Sequence, residues 1–111
     1  MLAYIVTSKF SDYLSLYRLE DIFARQGFEI SRGTQSVWCG DVADLVEPLY
    51  QLMVERVRAS HVIATDDTIL PLLQKGKTAK ARMWVYVGDT SQPYNVFDFT
   101  LDRSRDGPLR F

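Results

Sequence analysis

The sequence predicts an α+β fold in which a helical region comes first and short strands follow. Up to about residue 60 the apolar residues recur at intervals of three and four, which is the helical period. After that point they form short runs rich in β-branched and aromatic side chains, which are typical of strands. We therefore expect two regions, residues 1–60 and residues 61–111, without internal repeats.

The composition narrows the class of protein. Of the 111 residues, 47% are hydrophobic and 13% aromatic, which suits a modest core and argues against disorder. The formal net charge of −1 gives no general attraction to nucleic acid, so any DNA contact must come from a local cluster. Cys39 is the single cysteine, which excludes an internal disulfide and fits a reducing compartment. The apolar start is too short for a signal peptide or membrane span, so we expect a cytoplasmic protein with no membrane contact.

Two helices are predicted around a glycine turn. The first begins near Leu16 and ends at Gly27, because glycine readily adopts the left-handed conformation that closes a helix. Ser31 can cap the second helix, which then runs towards Gly40.

A third helix is predicted from Asp41 or Asp44. Pro48 lies inside its apolar pattern and has no backbone N–H to donate. The helix is therefore either kinked there or restarted with this proline in its first turn, and we expect a bend near Glu47.

The helices on either side of Gly27 have the outline of a helix-turn-helix unit. In such units the second helix lays its first residues along the major groove of DNA. Arg32, Gln35 and Ser36 would then face bases or phosphates. Plain helix packing accounts for the same pattern, because two short helices around a glycine turn are common.

Strands are predicted at residues 61–65, 82–87 and 94–100. Gly88 and Pro93 punctuate the turn between the second and third runs, which favours an antiparallel hairpin.

The segment KGKTAKAR contains the local cluster of basic residues: Lys75, Lys77, Lys80 and Arg82. Placed between two strands, it could form a hairpin loop whose cations contact a nucleic-acid backbone. A mobile, solvated loop is the simpler interpretation of a short charge run. The GKT triplet is not a nucleotide-binding loop, because Pro71 occupies the position where that motif needs glycine.

The run HVIATDDT ends a predicted strand on two adjacent carboxylates, Asp66 and Asp67. A strand that presents an acid at its tip is how divalent-metal nucleases begin their active site. That chemistry needs two or three acids from separate elements, so one strand-end acid is only part of a site. Asp98 lies on a later strand and could approach Asp66, although an ordinary solvent-facing acid is the alternative at both positions.

These segments together resemble the central part of transposases of the insertion sequence 66 family. The matching strings, in order, are LYRLEDIFARQGFEISRGTQSVWCGDVADLVEPLYQLM, HVIATDDTILPLL, GKTAKARMWVYVGD and YNVFDF. The resemblance implies a helical region followed by the first three strands of a ribonuclease H-like fold. The aspartate, aspartate, glutamate triad of that fold binds Mg²⁺ or Mn²⁺ and performs DNA strand transfer. The match places the first triad aspartate on Asp66, as catalytic residue and metal ligand.

The resemblance also implies that the other two triad acids lie on later elements than those present here. We therefore expect a transposase fragment that binds no metal by itself and neither cuts nor joins DNA. Its expected partners are the ends of the insertion element and the full-length transposase, and an exposed third strand favours self-association. The alternative is a small DNA-binding or interaction protein that regulates the parent transposase.

Overall fold

The computed structural model describes the backbone of residues 1–111 and every side chain except that of residue 106. Its elements, in chain order, are α1 (Leu2–Phe10), α2 (Leu16–Arg25), α3 (Arg32–Arg58), β1 (Ala64–Gln74), β2 (Lys77–Val87), β3 (Asn95–Thr100) and α4 (Asp106–Arg110). The predicted α+β class is confirmed, since helices precede an antiparallel sheet. The chain divides into two compact units, Met1–Glu47 and Pro48–Phe111, so that the division falls inside α3.

The first unit is built from α1, α2 and the beginning of α3. Its buried core residues are Ile5, Leu19 and Phe23. Ser15 caps α2, because its side-chain oxygen accepts the N–H of Arg18 at 3.2 Å. Gly27 follows this helix with φ of 86°, the conformation that the sequence predicted for it.

One continuous helix, α3, replaces the two helices that the sequence predicted on either side of Gly40. Ser31 caps it as expected, accepting the N–H of Thr34 at 3.2 Å. Gly40 does not end the helix, because glycine costs a helix interior only about 1 kcal/mol relative to alanine. Pro48 also lies within it and removes one hydrogen bond to the preceding turn. In the part of the chain that the structure describes, no helix is long and apolar enough to cross a membrane.

The sheet has the strand order β1-β2-β3, and both pairs are antiparallel. The strands predicted at residues 82–87 and 94–100 lie in β2 and β3, and the hairpin between them is confirmed. The first strand was placed too early, at residues 61–65. It runs through Pro71 because β1 is an edge strand, where a residue without an N–H need not cost a hydrogen bond to a neighbouring strand.

β1 and β2 are joined by a tight turn. Gln74 pairs with Lys77, which leaves only Lys75 and Gly76 between the strands. Gly76 has φ of 79°, a left-handed conformation that glycine adopts without a steric cost. The basic segment is therefore not a loop, as both interpretations of it assumed, because its residues beyond Lys75 and Gly76 pair with β1.

One face of the sheet packs against the end of α3. The buried residues of this second core are Val54, Val57, Trp84, Tyr86 and Val96. The indole N–H of Trp84 donates to the Thr100 hydroxyl at 2.8 Å, which satisfies a buried polar group. The rings of Tyr86 and Phe111 stack with their centroids 3.7 Å apart. Burial raises the pKa of the Tyr86 phenol above its ordinary value.

The loop between β2 and β3 is tied to the residues that follow α3. One carboxylate oxygen of Asp89 accepts the N–H of His61 at 2.8 Å, and the other accepts the hydroxyl of Ser91 at 2.6 Å. The Ser91 hydroxyl bond, followed by the His61 bond, lowers the pKa of Asp89 to about 2. The ionised carboxylate of Asp89 therefore holds the loop between β2 and β3 in place.

Substitution of Gly88 tests the packing of this loop. A Cβ there would lie 2.1 Å from the backbone oxygen of Gln92 and 2.9 Å from the Ser60 hydroxyl. Because backbone must move to make room, we expect Gly88→Ala to lower the free energy of unfolding by about 2 kcal/mol or more. Gly40→Ala is the matched control, with nothing within 4 Å of its new Cβ, and it should raise stability by about 0.5 to 1 kcal/mol. Urea denaturation measures both, and equal effects would contradict this loop geometry.

The low pKa of Asp89 predicts how stability varies with pH. The folded-state pKa of about 2 lies below the ordinary value of 3.8, so the ionised carboxylate favours the folded state. This contribution is complete above the ordinary value and is lost as the pH falls through the folded-state value. The difference in unfolding free energy between the wild type and Asp89→Asn should therefore narrow from about pH 4 to about pH 2. Urea denaturation across the pH range measures it, and a difference independent of pH would contradict the assignment.

Candidate functional site

Asp66 lies near the start of β1, with its side chain exposed to solvent. Its Oδ1 accepts the N–H of Asp67 at 2.8 Å, a local hydrogen bond that restricts the carboxylate. The sequence placed this acid at the far tip of a strand. The structure corrects that position, because β1 begins at Ala64 and continues to Gln74.

A recess of about 120 Å³ lies beside this carboxylate. Its lining residues are Asp66, Asp67, Thr68, Met83, Val85 and Phe97. The recess has room for a few water molecules. The carboxylate oxygens of Asp66 are therefore open to solvent and to small solutes.

Asp67 has the opposite environment, because successive residues of a strand point to opposite faces. Its carboxylate accepts from Nη1 of Arg82 at 2.9 Å and lies 3.4 Å from Nε of Arg103. The side chain is only 7% exposed, so this pairing compensates a carboxylate that has lost most of its water. Asp67 holds the sheet to the segment after β3, whereas Asp66 is available for a ligand.

Asp98 does not approach Asp66. Both Asp98 and Asp67 pair with Trp84, from β3 and β1 respectively, so they share the face of the sheet that carries this tryptophan. Asp66 pairs with Val85 and lies on the other face. Among the side chains that the structure describes, no three potential metal ligands lie together. A divalent cation at Asp66 would therefore have one carboxylate from these residues and water in most of its coordination shell.

The predicted basic residues fall into two groups. Lys75, Lys77 and Lys80 are exposed on the ribbon that β1 and β2 form. Arg82 is 22% exposed and is held by Asp67. To contact a phosphate, Arg82 would therefore have to give up its ion pair with Asp67.

The first turns of α3 present two of the three residues that were predicted to face DNA. Arg32 is 58% exposed, and its guanidinium lies 4.9 Å from the centroid of the Tyr17 ring. Its Nε is 3.7 Å from a carboxylate oxygen of Glu20. Ser36 is also exposed. These two side chains lie on the surface of the first unit.

Gln35 is fully buried, with 0% of its surface exposed. Its amide nitrogen donates to the carbonyl oxygen of Ile30 at 3.1 Å. The expectation that Gln35 faces DNA bases is wrong, because this side chain stabilises the turn before α3. The sequence contains a signal for this: Trp38 and Cys39, three and four residues later on the same helical face, pack against the first core.

Arg103 belongs to this site although no motif in the sequence indicates it. It is 69% exposed and meets Asp67 only through the folded sheet. No local pattern predicts such a pair, since the two residues lie far apart in the chain.

The chain belongs to the family described as Transposase IS66 family, whose sequence profile matches residues 1–111. The resemblance seen in the motifs is thereby confirmed. The chain is 38% identical over 114 residues to the uncharacterized protein y4qI of Sinorhizobium fredii (strain NBRC 101917 / NGR234), covering 96% of this chain and 21% of that protein. It is 37% identical over 89 residues to the uncharacterized protein y4jD of the same organism, covering 78% and 17% respectively. The chain thus spans about a fifth of the length of these curated relatives. No solved structure gives a significant match.

Substitution of the two neighbouring aspartates tests their contrasting environments. Asp67→Asn leaves the partly buried Arg82 without its charged partner, and we expect the free energy of unfolding to fall by about 1 to 3 kcal/mol. Asp66→Asn removes an exposed carboxylate and should change it by about 0.5 kcal/mol or less. Urea denaturation of the two variants measures both values. A larger effect at Asp66 than at Asp67 would contradict the structure.

Proposed function

We propose that this chain is part of the catalytic region of an insertion sequence transposase, and that Asp66 is one of the carboxylates that hold the catalytic Mg²⁺ or Mn²⁺. The observation that carries the proposal is the contrast at β1, within a chain of this family. Asp67 is tied to two arginines, whereas Asp66 is exposed and no ion pair to it is found among the described residues. A carboxylate that contributes so little to the fold is suited to binding a ligand.

We also propose that the sheet forms the beginning of a ribonuclease H-like fold. Three consecutive antiparallel strands in the order β1-β2-β3, with the candidate acid on the first, agree with the opening of that fold. One carboxylate leaves most of a cation's coordination shell to water. We therefore assign the remaining metal ligands to other parts of a full-length transposase, and expect the 111-residue protein alone neither to cut nor to join DNA.

A DNA-binding role for α2 and α3 is a second proposal, favoured by one observation. Arg32 and Ser36 are both exposed at the start of α3, where a helix-turn-helix protein contacts DNA. The burial of Gln35 removes one of the three predicted contacts. A regulator that binds element ends or the full-length transposase through this unit would need no metal at Asp66.

Manganese binding tests the role of Asp66 without relying on catalysis. Paramagnetic Mn²⁺ broadens the NMR signals of nuclei close to it. We expect the amide signals of Asp66 and Asp67 to broaden at Mn²⁺ concentrations on the order of millimolar, because a lone carboxylate binds weakly. Asp66→Asn should abolish this broadening, and Asp41→Asn, at an exposed acid on α3, should not. Unchanged broadening in Asp66→Asn would refute the assignment.

A nuclease assay on the same protein completes this test. Duplex DNA carrying an insertion element end should stay intact with Mg²⁺ or Mn²⁺. Cleavage that disappears in Asp66→Ala would show that the 111 residues are catalytically sufficient, which would overturn our expectation of inactivity while supporting Asp66 as a ligand.

A further inference from the structure

We propose that the β1–β2 ribbon, over residues 70–81, is an arm that binds duplex DNA, with its lysines on the phosphates and Leu73 in a groove. The inference deepens the proposed function, since it identifies the DNA-contacting element of a transposase segment. It does not depend on a metal at Asp66.

The shape of the ribbon supports this role. β3 pairs with β2 only over residues 82–87, so the remainder of β2, residues 77–81, pairs with β1 alone. The two strands continue as an unbroken antiparallel ladder to a turn of two residues. A two-stranded ribbon of this kind fits the major groove of B-form DNA. The tight turn at Gly76 makes the arm a defined shape instead of a loose loop.

The charge of the ribbon selects the class of partner. Lys75, Lys77 and Lys80 are all exposed, and residues 68–88 contain no aspartate or glutamate. The whole chain has a net charge of −1, so this positive cluster is a local feature. Exposed lysines without acidic neighbours complement a polyanion, and each phosphate that they neutralise releases bound counterions.

An apolar residue at the tip of this basic arm indicates that the arm enters a DNA groove and is not held by attraction to the phosphates alone. Leu73 is 89% exposed and sits next to the turn, where it pairs with Thr78. A leucine that is exposed to water adds nothing to the stability of the fold. Apolar side chains can, however, contact thymine methyl groups in the major groove of DNA or wedge between base steps in the minor groove. Leu73 is therefore the arm's candidate base-contacting residue.

The outer edge of the arm argues against a protein strand as the partner. β1 is an edge strand and contains Pro71, which has no N–H for a further strand to accept. Prolines and lysines on edge strands are devices that prevent edge-to-edge pairing. The ribbon thus presents a positive surface with an interrupted edge, which suits DNA better than a second copy of the chain.

Salt-dependent binding to a fluorescent duplex tests the lysines. In fluorescence anisotropy, the triple variant Lys75→Ala, Lys77→Ala, Lys80→Ala should lose about 2.7 from the slope of log K against log salt, the value for three phosphate contacts. The matched control removes three exposed arginines that lie outside the arm and outside the first turns of α3, Arg25→Ala, Arg56→Ala and Arg105→Ala, and should keep the slope. An unchanged slope in the lysine variant would overturn the arm and leave α3 as the candidate contact, whereas no duplex binding by the wild type at low salt would overturn both.

A second substitution distinguishes the groove from the phosphate backbone. Leu73→Ser should weaken duplex binding roughly fivefold without changing the salt slope, because it removes an apolar contact and no charge. Leu45→Ser, at a leucine of α3 that is 78% exposed, is the control and should bind as the wild type does.

Two results would count against the groove. Equal binding by Leu73→Ser and the wild type would refute it. If Leu73→Ser lost self-association in sedimentation while its DNA affinity stayed unchanged, the arm would be assigned to a protein partner instead. The manganese experiment at Asp66 contains no DNA, so failure of the arm and failure of the proposed metal ligand are separate outcomes.

Discussion

The register between β1 and β2 is the constraint on which the rest of the second unit depends. Because the two strands pair without interruption from Ala64 to Gln74, every side chain of β1 has a fixed side. A slip of one residue would exchange Asp66 and Asp67 between the faces of the sheet. In the observed pairing the carboxylate beside the buried Trp84 is that of Asp67, which accepts from Nη1 of Arg82 at 2.9 Å. The observed pairing therefore decides which of the two carboxylates is ion-paired and which is exposed.

This register gives two chemically identical neighbours different tasks. The carboxylate of Asp67 is largely withdrawn from water, so its charge must be balanced by arginines and contributes to the fold. The carboxylate of Asp66 keeps its hydration and can exchange water for another ligand. This difference needs no special backbone conformation, because the side chains of adjacent residues in a strand point to opposite faces of the sheet.

The sequence predicted the class of fold, the helix before Gly27, the Ser31 cap and the last two strands, because each has a local cause. It failed where the outcome depends on distant residues. Gly40 was read as a helix end and Pro71 as outside a strand, although the long helix tolerates the first and an edge strand tolerates the second. Asp66 and Asp98 lie on opposite faces of the sheet because of the strand register, which local sequence patterns do not specify. Gln35 is different, because Trp38 and Cys39 on the same helical face are a local signal for its burial, which the helix-turn-helix interpretation overlooked.

The placement of the two tryptophans has a practical consequence. Trp38 packs against the core of the first unit, and Trp84 is buried in the second. The chain contains no other tryptophan. Replacing either one by phenylalanine leaves a single indole whose fluorescence reports on one unit alone. The emission spectra of such a pair would therefore show whether the halves of α3 melt together or in sequence.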